Sequence, residues 1–157
     1  MPSLVLSSPL GPLTLSSDGA SITSIDFGKH AKTMTSGDKV LVKCRKELQE
    51  YFDGKRSAFS VAVSPEGTAF QKKIWKEMSR IPLGKTISYK ELAKRAGKTK
   101  AIRAAASACG KNPIVLIIPC HRIIASRTAA RMAALGGYSG GISKKRWLLK
   151  HEAKTKH

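Results

Sequence analysis

Ser64-Pro65-Glu66-Gly67 separates two stretches of the chain whose apolar residues keep different periods, so one continuous sheet or bundle cannot account for both. Before it, Leu4-Val5-Leu6, Leu13-Thr14-Leu15 and the trio Ile22, Ile25 and Phe27 are short apolar runs. Pro9-Leu10-Gly11 and Ser17-Asp18-Gly19 punctuate them, which predicts a β-hairpin or meander over the first thirty residues. Lys29–Lys39 reads as a polar loop. Val40, Leu41, Cys44, Leu48, Tyr51 and Phe52 then share one helical face, with Gly54 just past its end. Phe59, Val61 and Val63 alternate, which predicts a strand over 58–63.

Beyond the break the spacing is mainly helical. Phe70, Ile74, Trp75, Met78 and Ile81 make one face, ended by Pro82-Leu83-Gly84. Ser88 and Glu91 read as a capping box opening a helix that runs to Gly97. A second helix starts near Thr99 and reaches about Gly110, and the tight Gly97-Lys98-Thr99 turn makes the pair a helix-turn-helix. Ile114–Ile118 is an apolar run closed by Pro119, expected as a buried strand or extended segment. A polar, Gly-rich stretch follows, then a last helix from Ser143. The predicted class is α+β. A small N-terminal domain over 1–63 carries a short antiparallel sheet and one helix, 64–67 is a linker, and 68–157 is a mainly helical domain. With 157 residues, the chain is long enough to bury a core without metal or disulfide staples.

Charge is divided as unevenly as the periods. Residues 1–84 hold 12 basic and 8 acidic side chains, whereas 85–157 hold 17 basic and only Glu91 and Glu152. A surface that positive calls for a polyanion, and nucleic acid leads an acidic membrane face. The run Ile114–Ile118 is far too short to cross a bilayer. The N-terminus carries neither a charged leader nor a long apolar core, so no secretory signal is expected. Cys44, Cys109 and Cys120 are odd in number and lack CxxC spacing, which argues against a disulfide framework or a zinc ribbon and for a reducing compartment.

Pro119-Cys120-His121-Arg122 follows the apolar run directly. A rigid apolar backing beside a basic loop is good housing for a nucleophilic thiol, whose pKa falls beside a cation or a helix N-terminus. His121 is a candidate base if a carboxylate orients its second nitrogen. Of the two acidic residues in this half, Glu91 is engaged in the capping box, so elimination leaves Glu152 and suggests a Cys–His–Glu relay. A buried structural thiol beside a satisfied histidine is the bland alternative for that pair.

Four motifs in order now carry a resemblance. They are Ser88-Tyr89-Lys90-Glu91-Leu92-Ala93, then Lys100-Ala101-Ile102-Arg103-Ala104, then Asn112-Pro113 with Ile114–Ile118 and Pro119-Cys120-His121-Arg122, and finally Gly136–Gly141 with Lys145–Glu152. Together they strongly resemble the O6-alkylguanine-DNA alkyltransferases, also called methylated-DNA–protein-cysteine methyltransferases. The resemblance is firm over about 67–152 and extends to 1–63 in layout only. It implies an RNase H-like N-terminal domain and a winged helix-turn-helix C-terminal domain. It also implies an intracellular monomer that binds duplex DNA through the minor groove. Arg103 would fill the space of an extruded guanine, offsetting part of the cost of flipping. Tyr89, Lys100, Ala101, Ala104 and Ser126 would contact the DNA.

The resemblance further implies that Cys120 takes the alkyl group from guanine O6, with O4-alkylthymine a second candidate substrate, in a single irreversible turnover without cofactor. His121, through a water, and Glu152 would take the thiol proton. Tyr89 and the Ser139 amide would serve the leaving guanine, and the Cys120 and Ile123 carbonyls would accept its amino group. Asn112 would be the hinge between recognition helix and active-site segment. Val115, Tyr138, Ser139, Gly140 and Cys109 would line the base pocket, with Cys109 a small wall residue rather than a second nucleophile.

The chain departs from the family pattern in three places. Val115 stands where a second proline is usual. Ser126–Leu135 is longer than the family's loop and brings Arg127 and Arg131. Zinc-carrying relatives use Cys and His in the first domain, where only Cys44 and His30 are available, so no metal is expected. Trp75 and Trp147 are expected in the core, and Lys144, Lys145 and Arg146 as solvated charge at a helix start. The competing readings are a damage-recognition protein that binds alkylated DNA without transfer, a Cys-His hydrolase, and a plain transcriptional regulator.

Overall fold

A computed structural model describes residues 2–29, 37–125, 138 and 140–155. The chain forms two compact units. The first comprises Met1–Glu66 with Pro113–Val115 and Lys154–His157; the second comprises Gly67–Asn112 and Leu116–Ala153.

In the first unit, β1 (Ser3–Ser8), β2 (Gly11–Ser17) and β3 (Ile22–Phe27) form an antiparallel meander in the order β1-β2-β3. The register sets Leu4 opposite Leu15 and Leu6 opposite Leu13, so alternation puts all four leucines on one buried face. The turn into β2 requires Gly11, whose φ of 92° excludes most side chains. α1 (Lys39–Phe52) buries Leu41, Cys44, Leu48 and Tyr51. Its N-cap is Asp38, which accepts from the Leu41 amide at 2.8 Å.

The strand expected over 58–63 is reduced to one parallel bridge between Val63 and Ile22. The cause is Glu47, a buried carboxylate on α1 that accepts from the Ser60 and Val61 amides at 2.9 and 3.1 Å and so takes the bonds a strand partner would need. The apolar run Ile114–Ile118 is also not a strand. Ile114 bridges Ile25, after which the chain turns through Leu116 at a φ of 75°. The Asn112 side-chain amide donates to the Ile118 carbonyl at 2.6 Å and closes that turn.

The second unit holds α2 (Ala69–Met78), β4 (Ile87–Ser88), α3 (Tyr89–Arg95), α4 (Ile102–Gly110), a 3-10 turn at Cys120–Arg122, β5 (Ile123–Ile124) and α5 (Ile142–Lys154). α2 opens with a reciprocal capping box: Thr68 accepts from the Gln71 amide and Gln71 accepts from the Thr68 amide. At α3 only half of the expected box forms. Ser88 accepts from the Glu91 amide at 3.1 Å, but the Glu91 carboxylate accepts from Arg95 one turn on, also at 3.1 Å. Gly97 ends the helix at a φ of 73°. α4 starts at Ile102, later than expected, with Ala101 at its N-cap offering no side-chain acceptor. Trp75 lies in the core as expected, its indole N–H donating to the Ala108 carbonyl at 2.8 Å. β4 and β5 pair in parallel, Ile87 with Ile123 and Ser88 with Ile124. Among the described residues no helix is long and apolar enough to cross a membrane.

Candidate active site

The β4–β5 ladder carries the backbone from the start of α3 to the end of the Cys120–Arg122 turn, so Tyr89 and Cys120 issue from neighbouring segments. The apolar residues before Cys120 and the buried Ile123 and Ile124 after it leave Cys120, His121 and Arg122 pointing into the unit.

α5 supplies the other wall. Lys145, Leu148 and Glu152 recur at helical spacing and are its buried face. The His121 imidazole and the Glu152 carboxylate meet at 2.6 Å between Nε2 and Oε2. Arg122 donates from Nε to Glu152 Oε1 at 2.8 Å and from Nη2 to Oε2 at 3.0 Å, and from Nη1 to the Ile81 carbonyl at 2.6 Å. Lys145 donates from Nζ to the Ile123 carbonyl at 2.5 Å and sits 5.9 Å from the centre of the Tyr89 ring.

These contacts fix the protonation states. Burial by itself would raise the Glu152 pKa, but hydrogen bonds and charge from His121 and Arg122 outweigh it, holding the carboxyl well below the usual range. Burial lowers the His121 pKa against the opposing pull of Glu152, so the ring is neutral at neutral pH. A neutral ring beside an ionised carboxylate carries its proton on Nε2 and donates it to Glu152. Nδ1 is then a bare lone pair, and it has no hydrogen-bond partner among the described residues.

Burial also pushes the Cys120 thiol up, opposed by the Asn112 side chain and the Lys145 charge, so the resting sulfur is protonated. Tyr89 is held up to about 12, chiefly by burial and then by the neighbouring thiols, and is a phenol. Tyr138 is likewise raised, first by burial and then by Cys120 and Glu152, and its ring meets His121 edge-on with centroids 6.5 Å apart.

The structure therefore gathers Cys120, His121, Glu152, Asn112, Tyr89, Ile123, Tyr138 and Cys109 around one locus; the Cys109 sulfur approaches the Cys120 carbonyl at 3.9 Å. Gly140 is half-buried just before α5. Val115 belongs to the first unit, where its amide donates to the Ile25 carbonyl at 3.4 Å. Lys100, Arg103 and Ala104 are exposed at the start of α4, and Ala101 is half-buried. Ser126, Ser139 and the Ser126–Leu135 loop lie outside the described residues, as does His30. Among the described residues no group of three or more His, Cys, Asp or Glu could hold a metal ion.

Comparison with known proteins accords with this geometry. Residues 4–65 match the ribonuclease-like domain of 6-O-methylguanine DNA methyltransferase, and residues 69–154 match its DNA binding domain. The chain is 38% identical over 154 residues to a methylated-DNA–protein-cysteine methyltransferase of Methanosarcina barkeri, covering 94% of each. It is similar to the crystal structure of the O6-methylguanine methyltransferase of Mycobacterium tuberculosis, with a TM-score of 0.86 and 35% identity over 99% of this chain and 94% of that one. The OGT protein of the same organism, in complex with DNA, gives a TM-score of 0.85 and 36% identity over the same shares.

The chain belongs to the methylated-DNA–protein-cysteine methyltransferase family.

Three cysteines of this methyltransferase stand in different surroundings. Cys44 lies on the buried face of α1, its thiol pushed up to about 12 by burial and then by Glu47. Cys109 is pushed up to about 12 by burial and then by Cys120. Cys120 alone adjoins a histidine–carboxylate pair. Two residues of the methyltransferase's site were not foreseen as such. Arg122 was visible only as the fourth residue of its motif. Lys145 was expected in solvent, and the structure buries it completely. The signal for it was present: Lys145 stands seven residues before Glu152, on the same face of one helix.

Proposed function

We propose that the chain repairs DNA by direct reversal, moving the alkyl group of O6-alkylguanine in a duplex onto its own Cys120 in one irreversible turnover. The observation that carries this reading is the buried His121–Glu152–Arg122 cluster next to the buried Cys120. The exposed N-terminal turn of α4 enters the minor groove, and Arg103 takes the place of the guanine swung out of the stack. Unstacking costs a few kcal/mol, offset in part by that intrusion. As the base fills the site, His121 Nδ1 takes the Cys120 proton through a water, and Glu152 stabilises the imidazolium that forms.

The thiolate then attacks the alkyl carbon in line. The S–C bond forms, the C–O6 bond breaks, and the electron pair passes to guanine. Tyr89, a phenol in this setting, donates to the departing base, with the Ser139 amide at O6. The Cys120 and Ile123 carbonyls hold the guanine amino group. Lys145 donates to that same Ile123 carbonyl, which supports its fixed position. Tyr138, Gly140 and Cys109 shape the alkyl pocket, O4-alkylthymine is a second substrate, and the chain works as a monomer. Water does not cleave a thioether, so the protein is consumed and needs no cofactor.

Titration with a duplex holding one O6-methylguanine tests the stoichiometry. Conversion is expected to stop at one base per protein. Continued turnover would overturn the single use, and tight binding with no conversion would favour damage recognition without transfer.

A further inference from the structure

Cys109 takes no chemical step in the mechanism above, yet it is one of two buried thiols at a single locus. It stands one residue before the end of α4, and Cys120 opens the 3-10 turn. The Asn112–Ile118 hydrogen bond closes the segment between them and holds these two ends together. The Cys109 sulfur donates toward the backbone oxygen of Cys120 at 3.9 Å, and both side chains are free thiols. The two thiols also sense each other electrostatically, the Cys120 sulfur adding to the upward push on Cys109. A disulfide needs Cα atoms about 4.4–6.8 Å apart, so a bridge between these two residues requires their segments to lie side by side, as the contact at the Cys120 carbonyl indicates. The third cysteine, Cys44, belongs to the other compact unit.

We propose that Cys109 and Cys120 are a dithiol pair that a hydroperoxide oxidises to a disulfide, closing the alkyl-acceptor sulfur reversibly. In the first step the Cys120 thiolate attacks the peroxide. The O–O bond breaks, Cys120 becomes a sulfenic acid, and the peroxide leaves as alcohol or, from hydrogen peroxide, as water. In the second step Cys109 displaces hydroxide from the sulfenic sulfur. The S–S bond forms and water departs with the Cys109 proton. The pair gives up two electrons and two protons, and the peroxide takes them. His121 Nδ1, the lone pair invoked for alkyl transfer, is the base for the first step. A dithiol reductant restores both thiols.

The pairing has a direct consequence. A lone buried nucleophile that meets peroxide proceeds to sulfinic acid and is lost. A neighbouring thiol intercepts the sulfenic acid and preserves the acceptor. The cross-link itself does not depend on the proposed alkyl transfer; only its effect on repair rests on that reading.

The test is intact mass and peptide mapping of the native protein after hydrogen peroxide, before any DNA is added. The expected result is loss of two hydrogens, a linked pair of peptides containing Cys109 and Cys120, and full reversal by dithiothreitol. Cys109→Ser, checked for folding by its thermal transition, should instead gain oxygen on Cys120 irreversibly. Oxygen on Cys120 of the wild type with no link to Cys109 would overturn the proposal, as would a link through Cys44 or no reaction where a free control thiol is oxidised. Adding O6-methylguanine duplex afterwards separates the two readings. A cross-linked protein should transfer nothing until reduced. A protein that cross-links but transfers nothing even when reduced would contradict the repair function and leave the thiol pair standing.

Discussion

Glu152 takes hydrogen bonds from His121 Nε2 and from Arg122 Nε and Nη2 in a place closed to solvent, and this arrangement leaves the lone pair of the ring on Nδ1, the base of the proposed transfer. Removing one partner of a buried ion pair leaves the other uncompensated and costs about 3–5 kcal/mol. Glu152→Gln should therefore destabilise the protein by that order in denaturant unfolding, and slow single-turnover transfer by roughly 10²–10⁴-fold, the range of general-base catalysis. The pH dependence follows from the signs. The Glu152 folded pKa is depressed, so its contribution is complete above its unfolded value and is lost as pH falls through the folded one. His121 is also depressed, so the unfolded chain takes up its proton first, and acid again favours unfolding. The stability gap between wild type and Glu152→Gln should narrow as pH drops below the ordinary carboxylate range, followed by unfolding midpoints across pH.

Lys145 belongs to the same scale. Its charge opposes the upward push of burial on Cys120. Lys145→Met should move the pH–rate profile of transfer to higher pH, whereas a purely structural role would lower the rate equally at every pH.

At the level of elements, legibility followed the kind of force involved. The meander, α1 and α2 were readable because apolar spacing buries their faces, as Leu4, Leu6, Leu13 and Leu15 illustrate, whereas the buried face of α5 is mostly charged, with Lys145 and Glu152 beside Leu148. The strand at 58–63 and the run Ile114–Ile118 read as strands for the same reason, but polar side chains decided them: Glu47 claims two amides and Asn112 bends the chain onto Ile118. Such long-range polar bonds leave no periodic trace. The pairing of His121 with Glu152 was reached by elimination, on the ground that Glu91 was committed to a capping box. In the structure Glu91 is committed to Arg95 instead, so the premise changed while the conclusion stood. Arg122 was not foreseen because one buried arginine leaves no trace in a chain this basic. Arg103 lies exposed on the first turn of α4, so its loss should cost under about 0.5 kcal/mol of stability. Arg103→Ala should nevertheless sharply lower transfer from duplex DNA, which separates base flipping from folding.

Across the whole molecule the dominant fact is charge. The net charge of +19 is concentrated beyond residue 84, in the half that matches the DNA binding domain. Affinity for duplex DNA should fall linearly on a log–log plot as salt rises, with a slope near −0.9 for each phosphate neutralised. Lys100→Ala should reduce that slope by about one, read by fluorescence anisotropy at several salt concentrations.

The measurement that bears most directly on the account is peptide mapping by mass after the reduced protein meets a duplex carrying one O6-methylguanine. The account predicts one added methyl group, on Cys120 and not on Cys44 or Cys109, and none in Cys120→Ala. A methyl on another residue, or an unmodified Cys120 on a protein that binds the duplex, would contradict it.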